Sequence, residues 1–280
     1  MSRQPSRVVR MAQLMGTVVS VHAIIADPER GIEARVDTDA RAVFDQLSEI
    51  ERVFSTYRAD SDICRLRDGT LLLADADSRI SEVRLACASA AAATGGLFSA
   101  EWRGWFDPTG YVKGWAVEQA FEDHLAGLLE EPGMLAIGIN AGGDMQLATA
   151  VSADWVWNIG VANPVRAGEL MATIELRDGA VATSGTAERG MHLYNPDTGE
   201  PVSGTLSATV IAPRLRDADT WATAAAIAGA DDLSWIADAP HTSGLIVGPD
   251  GGSRRWAAGV EIGDALLDPW QPKQKDASLR

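Results

Sequence analysis

Long apolar runs are missing from this sequence. None approaches the roughly twenty residues that a membrane-spanning helix needs. The first residues, MSRQPSRVVRMAQLMG, are basic but hold no apolar core of signal-peptide length. Cysteine is nearly absent: Cys64 and Cys87 are the two in the chain. Without a CxxC spacing or a nearby histidine pair they argue against a disulfide framework and a zinc site. Two reduced thiols and no leader suit a cytoplasmic protein with no membrane anchor. Positive charge is scarce as well, and the formal net charge is −15. Such a surface repels DNA, RNA and anionic lipid, so nucleic-acid partners are set aside. A phosphate ligand stays open, because a bound cation reverses the local field. Neither GxxxxGK[ST] nor GxGxxG is present, so any nucleotide is held by another device.

What is present is an ordinary globular composition, 46% apolar and 22% charged. TVVSVHAII (residues 17–25) reads as a β-branched strand, and Val43, Leu47, Ile50 and Phe54 repeat at helical spacing. SEVRLACASAAAATGG (81–96) reads as a helix with a serine cap, ended by glycines. VKGWAVEQAFEDHLAGLLEEPG reads as one helix stopped at Pro132-Gly133. MLAIGIN, MQLAT, DWVWNIGVANP, LMATIEL, GAVATSG, LSATVIAP, TSGLIVG and RRWAAGVEI read as strands. Neighbouring strands outnumber βαβ alternations, which predicts an α+β fold with a mostly antiparallel sheet packed with helices. The expected organisation is a disordered arm over 1–13, a single domain over 14–267 and a tail over 268–280.

Four stretches carry chemistry. RDADTWATAAAIAG (216–229) predicts a helix with more polar atoms than one cap requires. Asp217 or Asp219 can cap it. Asp219 and Thr223 share a helix face at i, i+4, where their oxygens suit a hard cation such as Mg²⁺. The plainer alternative is a cap plus a threonine bonded one turn back. INAGGDMQ (139–146) predicts a glycine turn between strands, with Asp144 stabilising it. FDPTGYVKGWAVEQ (106–119) places a turn and Lys113 at a helix start, a pattern equally suited to anion binding or to a plain cap. SGTAERGMHLYNPDTGEP (184–201) carries His192, one of four histidines, before an Asn-Pro-Asp-Thr-Gly turn.

Taken in order, MGTVVSV, FSTYRADSDICRL, TGGLF, DPTGYVKGWAVEQA, INAGGDMQ, WNIGVANP, ATSGTAERGMHLYNPDTG and DADTWATAAAIAG resemble the ApbE family of flavin transferases, FAD:protein FMN transferases. The resemblance runs over residues 14–250. It implies Mg²⁺-dependent cleavage of the FAD pyrophosphate, transfer of FMN to a Thr or Ser hydroxyl of an acceptor protein, and release of AMP. It assigns Met15, Tyr57, Ser99, Ala100, Asp107, Lys113 and Leu193 to FAD. It assigns Gly110 and Ala222 (through their carbonyls), Asp219 and Thr223 to the metal, with Asp219 thereby catalytic. His192, whose unperturbed pKa lies near neutrality, is the candidate base, with Asp219 or Asp144 as rivals. An FAD pyrophosphatase yielding FMN and AMP, and a non-catalytic flavin-binding protein, are the alternatives.

Overall fold

The computed structural model describes residues 4–26, 31–186 and 193–263. Among the described residues, eleven strands and five α-helices follow in the order β1 (Ser6–Leu14), β2 (Thr17–Ile25), α1 (Ile32–Phe54), α2 (Asp62–Arg67), α3 (Ser78–Ala93), α4 (Thr109–Ala120), β3 (Met134–Ala141), β4 (Asp144–Thr149), β5 (Trp157–Ala162), β6 (Leu170–Leu176), β7 (Gly179–Ser184), β8 (Ser207–Ala212), α5 (Leu215–Ala228), β9 (Ser243–Val247), β10 (Ser253–Ala257) and β11 (Val260–Ile262). Nine strands form one sheet in the order β1-β2-β3-β4-β7-β8-β9-β10-β11, and β5 and β6 form a separate pair. Neighbours in both sheets are antiparallel. The fold is α+β, as the strand-rich second half predicts.

Alternation along the strands sets the layers. Val19, Val21, Ala23 and Ile25 of β2, Ile137 and Ile139 of β3, and Ala180 and Ala182 of β7 join one core with α1, α3, α4 and α5. Ile24, Ala136, Leu147 and Val181 point the other way and pack on Trp157 and Ile159 of β5. The large sheet therefore lies between helices and the β5–β6 pair. Each fully buried Ile or Val contributes about 1.5–3 kcal/mol to that packing.

Several local expectations change. Residues 6–13 of the expected arm form β1, paired with β2 from Ser6↔Ile25 to Leu14↔Thr17. Two arginines and the lack of a clean apolar alternation hid this strand: it is an edge, and only Val8 within it is buried. Residues 264–280, including the expected tail, lie outside the described residues. Helix α3 starts at Ser78, and its cap is Asp77, whose side chain accepts from the Arg79 N–H; Ser81 lies inside the helix. The long helix expected from Val112 onward starts at Thr109 and stays α-helical to Ala120, then widens to a π turn (Phe121–Leu125) and tightens to a 3₁₀ turn (Ala126–Glu130). RRWAAGVEI divides into β10 and β11 around Ala258-Gly259, both at positive φ.

Helix α5 is not capped by its own aspartates. Arg214 occupies the N-cap position without a side-chain hydrogen bond. The orphan N–H of Leu215 donates to Gln146 Oε1 (2.9 Å), and that of Arg216 donates to Glu118 Oε2 (3.0 Å). Asp217 is exposed. A glutamine from β4 and a glutamate from α4 thus fix where α5 begins.

Candidate active site

Two hairpin tips meet at one end of the large sheet. The β1–β2 turn is Met15-Gly16 (φ 53° and 71°), and the β3–β4 turn is Gly142-Gly143 (φ 63° and 100°). Positive φ at both central residues is the two-residue hairpin geometry that follows strand twist. Methionine is strained there, and its N–H is held by Glu51 Oε2 at 2.9 Å. The Gly143 N–H goes to Asn140 Oδ1 (2.8 Å), so Asn140, and not Asp144 as expected, stabilises the second turn.

These tips border a cavity of about 1230 Å³. Of the sequence-assigned residues, Met15, Tyr57, Ser99, Asp107, Gly110, Lys113, Leu193, Asp219 and Thr223 line it. Ala100 and Ala222 are buried and do not line it. The Ala100 carbonyl instead accepts the Asp107 N–H at 2.7 Å, which orients the residue that does. His192 lies outside the described residues. Sequence reasoning missed Thr183, Ser184 and Thr209 as lining residues, because a strand hydroxyl carries no local signal of a cavity.

Helix α4 presents its N-terminal end to the cavity through Thr109 and Gly110. Asp107 secures that end, accepting from the Thr109 N–H (3.2 Å) and hydroxyl (2.5 Å). The positive end of the helix dipole therefore faces the space where an anion would sit. One turn on, α4 crosses α5. A Cβ on Gly114 would lie 2.8 Å from Asp219 Cβ and 3.0 Å from the Leu215 carbonyl oxygen, so the crossing needs a glycine. The approach lets the Gly114 N–H donate to Asp219 Oδ2 at 3.0 Å.

Asp219 is thus fixed at its second oxygen, while Oδ1 stands 3.7 Å from Lys113 Nζ. Thr223 presents its hydroxyl one turn later, 3.4 Å from the Ser184 hydroxyl. Lys113 Nζ also contacts Asp144 Oδ2. Among the described residues no three His, Cys, Asp or Glu side chains gather into a metal cluster. The donors at the cavity wall are a carboxylate and a hydroxyl, all oxygen. That set fits Mg²⁺, which binds through one or two carboxylates and takes its other ligands from water and phosphate.

Aromatic rings edge the opening. Trp102 stacks on Tyr194 with centroids 4.6 Å apart and planes 17° apart. The Arg103 guanidinium lies 4.5 Å over Trp102. Tyr57 is 94% exposed at the rim, a large ring left in water where a planar ligand can cover it.

Comparison with known proteins bears on the family and the fold. The ApbE family model matches residues 101–246. A crystal structure of an ApbE protein from Thermotoga maritima superposes with a TM-score of 0.74 at 25% identity, over 89% of this chain and 97% of that one. The flavin transferase ApbE from Vibrio cholerae shares the fold, with a TM-score of 0.68 at 19% identity, over 91% of this chain and 97% of that one. The FAD:protein FMN transferase of Salmonella typhimurium is 29% identical over 117 residues, 38% of this chain and 33% of that protein. That of Escherichia coli strain K12 is 28% identical over 117 residues, again 38% and 33%. The aligned stretch thus spans a third of the length of these curated relatives. With the family model covering residues 101–246, more than half of its length, the chain belongs to the ApbE family.

Proposed function

We propose that this protein is an Mg²⁺-dependent FAD:protein FMN transferase. The observation that carries the reading is the convergence of Gly110, Lys113, Asp219 and Thr223, from two helices, on one wall of a single cavity. The curated relatives described above are named FAD:protein FMN transferases. The cavity exceeds the roughly 300–1,000 Å³ usual for small-ligand sites, which suits a dinucleotide together with a segment of acceptor chain.

In this reading the acceptor Thr or Ser oxygen attacks the flavin-side phosphorus of FAD. A new P–O ester bond forms to FMN, the pyrophosphate P–O bond breaks, and AMP leaves with the bridging oxygen. The hydroxyl proton goes to a base, for which His192 is proposed. Lys113 and the α4 N-terminus hold the pyrophosphate by charge, and the rim aromatics cover the planar rings. Met15, Tyr57, Ser99 and Leu193 contact the flavin side, and Asp107 keeps the α4 end in place. Asp219 and Thr223 would hold the cation, and the Gly110 carbonyl would add a further ligand. Such a cation would neutralise charge developing on the phosphates. What remains for the protein is placement of the reacting groups.

The two thiols are buried and unpaired, which suits the proposed cytoplasmic location. No helix among the described residues is long and apolar enough to cross a membrane.

Release of AMP from FAD, followed with and without an acceptor protein bearing a reactive threonine, tests the reading. Acceptor-dependent AMP release with matching covalent flavin is expected. Equal release without acceptor assigns the site to FAD hydrolysis. FAD binding without any release assigns it to a carrier.

A further inference from the structure

The nine-stranded sheet opens beside the cavity. Strands β3 and β4 pair over six positions and β7 and β8 over five, but β4 and β7 pair at only three, Met145↔Val181 to Leu147↔Gly179. Beyond Met145 the ladder stops, and the side chain of Asp144 fills the gap. Its Oδ1 accepts the Thr183 N–H at 3.0 Å, replacing the missing ladder bond. Its Oδ2 contacts Lys113 Nζ. The residue is 1% exposed, so this is a buried carboxylate committed at both oxygens. Asp144 does not itself line the cavity, whereas Lys113 and Asp219 both do.

Lys113 therefore stands between two carboxylates. It touches Asp144 and is held 3.7 Å from Asp219 Oδ1. At that separation an ammonium and a cation compete for the same oxygen of Asp219. Asp219 cannot turn away, because its other oxygen is tied to the Gly114 N–H. How the ammonium is shared between the two carboxylates changes how readily Asp219 takes a metal.

We propose that Asp144 is a positioning residue that draws the Lys113 ammonium off Asp219 and so favours a divalent cation at Asp219 Oδ1. This rests on the assignment of Asp219 to a metal made above. It adds a part for a residue that touches neither FAD nor the cation. Without the charge of Asp144, Lys113 settles on Asp219 and the site closes to metal from within.

The test uses Mn²⁺ alone, with free Mn²⁺ read by electron paramagnetic resonance, on the parent, Asp144→Asn, Lys113→Met and the double variant. Asparagine keeps an oxygen for the Thr183 N–H and removes only the charge. Asp144→Asn is expected to weaken Mn²⁺ binding by about tenfold or more, the scale on which residues behind metal ligands act. Lys113→Met is expected to improve binding far more in the Asp144→Asn background than in the parent. That non-additivity separates displacement of Asp219 by lysine from a plain loss of negative charge, whose effects add. Parental Mn²⁺ affinity in Asp144→Asn overturns the proposal. So does strict additivity across the four proteins, or a double variant as weak as Asp144→Asn with an unchanged melting temperature. If the parent itself binds no Mn²⁺, the metal reading of Asp219 fails, which is a different result from any variant effect.

Discussion

Gly114→Ala puts one methyl group where α4 crosses α5. The new Cβ would lie 2.8 Å from Asp219 Cβ and 3.0 Å from both Asp219 Oδ2 and the Leu215 carbonyl oxygen. Carbon atoms rest about 3.5–4.0 Å apart, so the helices must part locally by about 0.7 Å or more. Overpacking of this kind costs about 1–3 kcal/mol. Alanine returns up to about 1 kcal/mol through helix propensity, leaving a net loss of roughly 0–2 kcal/mol. Turnover answers differently. The shift falls on Asp219 and on its bond from the Gly114 N–H, and a misplacement near 1 Å lowers a rate by about 100-fold. The expected signature is a small fall in urea stability, followed by tryptophan fluorescence, beside a large fall in FMN transfer. Gly127→Ala is the control, because a Cβ there meets nothing within 4 Å. A Gly114→Ala protein with parental stability and parental transfer would refute the claim that this crossing sets the position of Asp219.

Three further predictions concern groups around the site and beyond it. Gln146→Leu leaves the buried Leu215 N–H without its acceptor and should lower stability by about 1–3 kcal/mol in urea melts. An unchanged midpoint would mean that α5 finds another cap. His22 is held neutral: its Nδ1 accepts from Arg7, its Nε2 bonds the Ser20 hydroxyl, and burial followed by the Arg7 charge lowers its pKa from 6.5 to about 4. The unfolded chain therefore binds a proton that the folded chain resists between pH 6.5 and 4, so this contribution is present above 6.5 and fades on acidification. The urea midpoint should fall across that window, and less steeply in His22→Phe; identical slopes would contradict the assignment. Burial pushes the Cys87 thiol up to about 12, and Cys64 is 1% exposed, so neither should react with a thiol reagent at neutral pH until the protein unfolds.

Much of the fold was legible because its strongest signals are local. Strands such as Met134–Ala141 and Ser207–Ala212 are short apolar runs bounded by turn residues, and α5 falls within one residue of its expected span. What escaped depends on distant residues. Strand β1 reads as a polar arm because it is an edge whose identity comes from pairing with β2. The caps of α5 come from Gln146 and Glu118, far away in sequence, so its own aspartates looked like the natural choice. The site divides the same way. The ordered motifs brought Met15, Lys113, Asp219 and Thr223 to one cavity. They could not show that Gly114 is where two helices touch, or that Asp144 fills a gap in a sheet. Those facts belong to contacts across the fold: one puts the Gly114 N–H on Asp219, and the other holds the Lys113 ammonium.

Covalent flavin on an acceptor protein is the most direct test of the central claim. The acceptor, incubated with this protein, FAD and Mg²⁺, is denatured, freed of loose flavin and weighed intact by mass spectrometry. The account predicts an added mass of one FMN less one water, joined as a phosphoester at a single Thr or Ser, and no addition with Asp219→Ala. An acceptor of unchanged mass, with a folded and FAD-loaded enzyme, would contradict it.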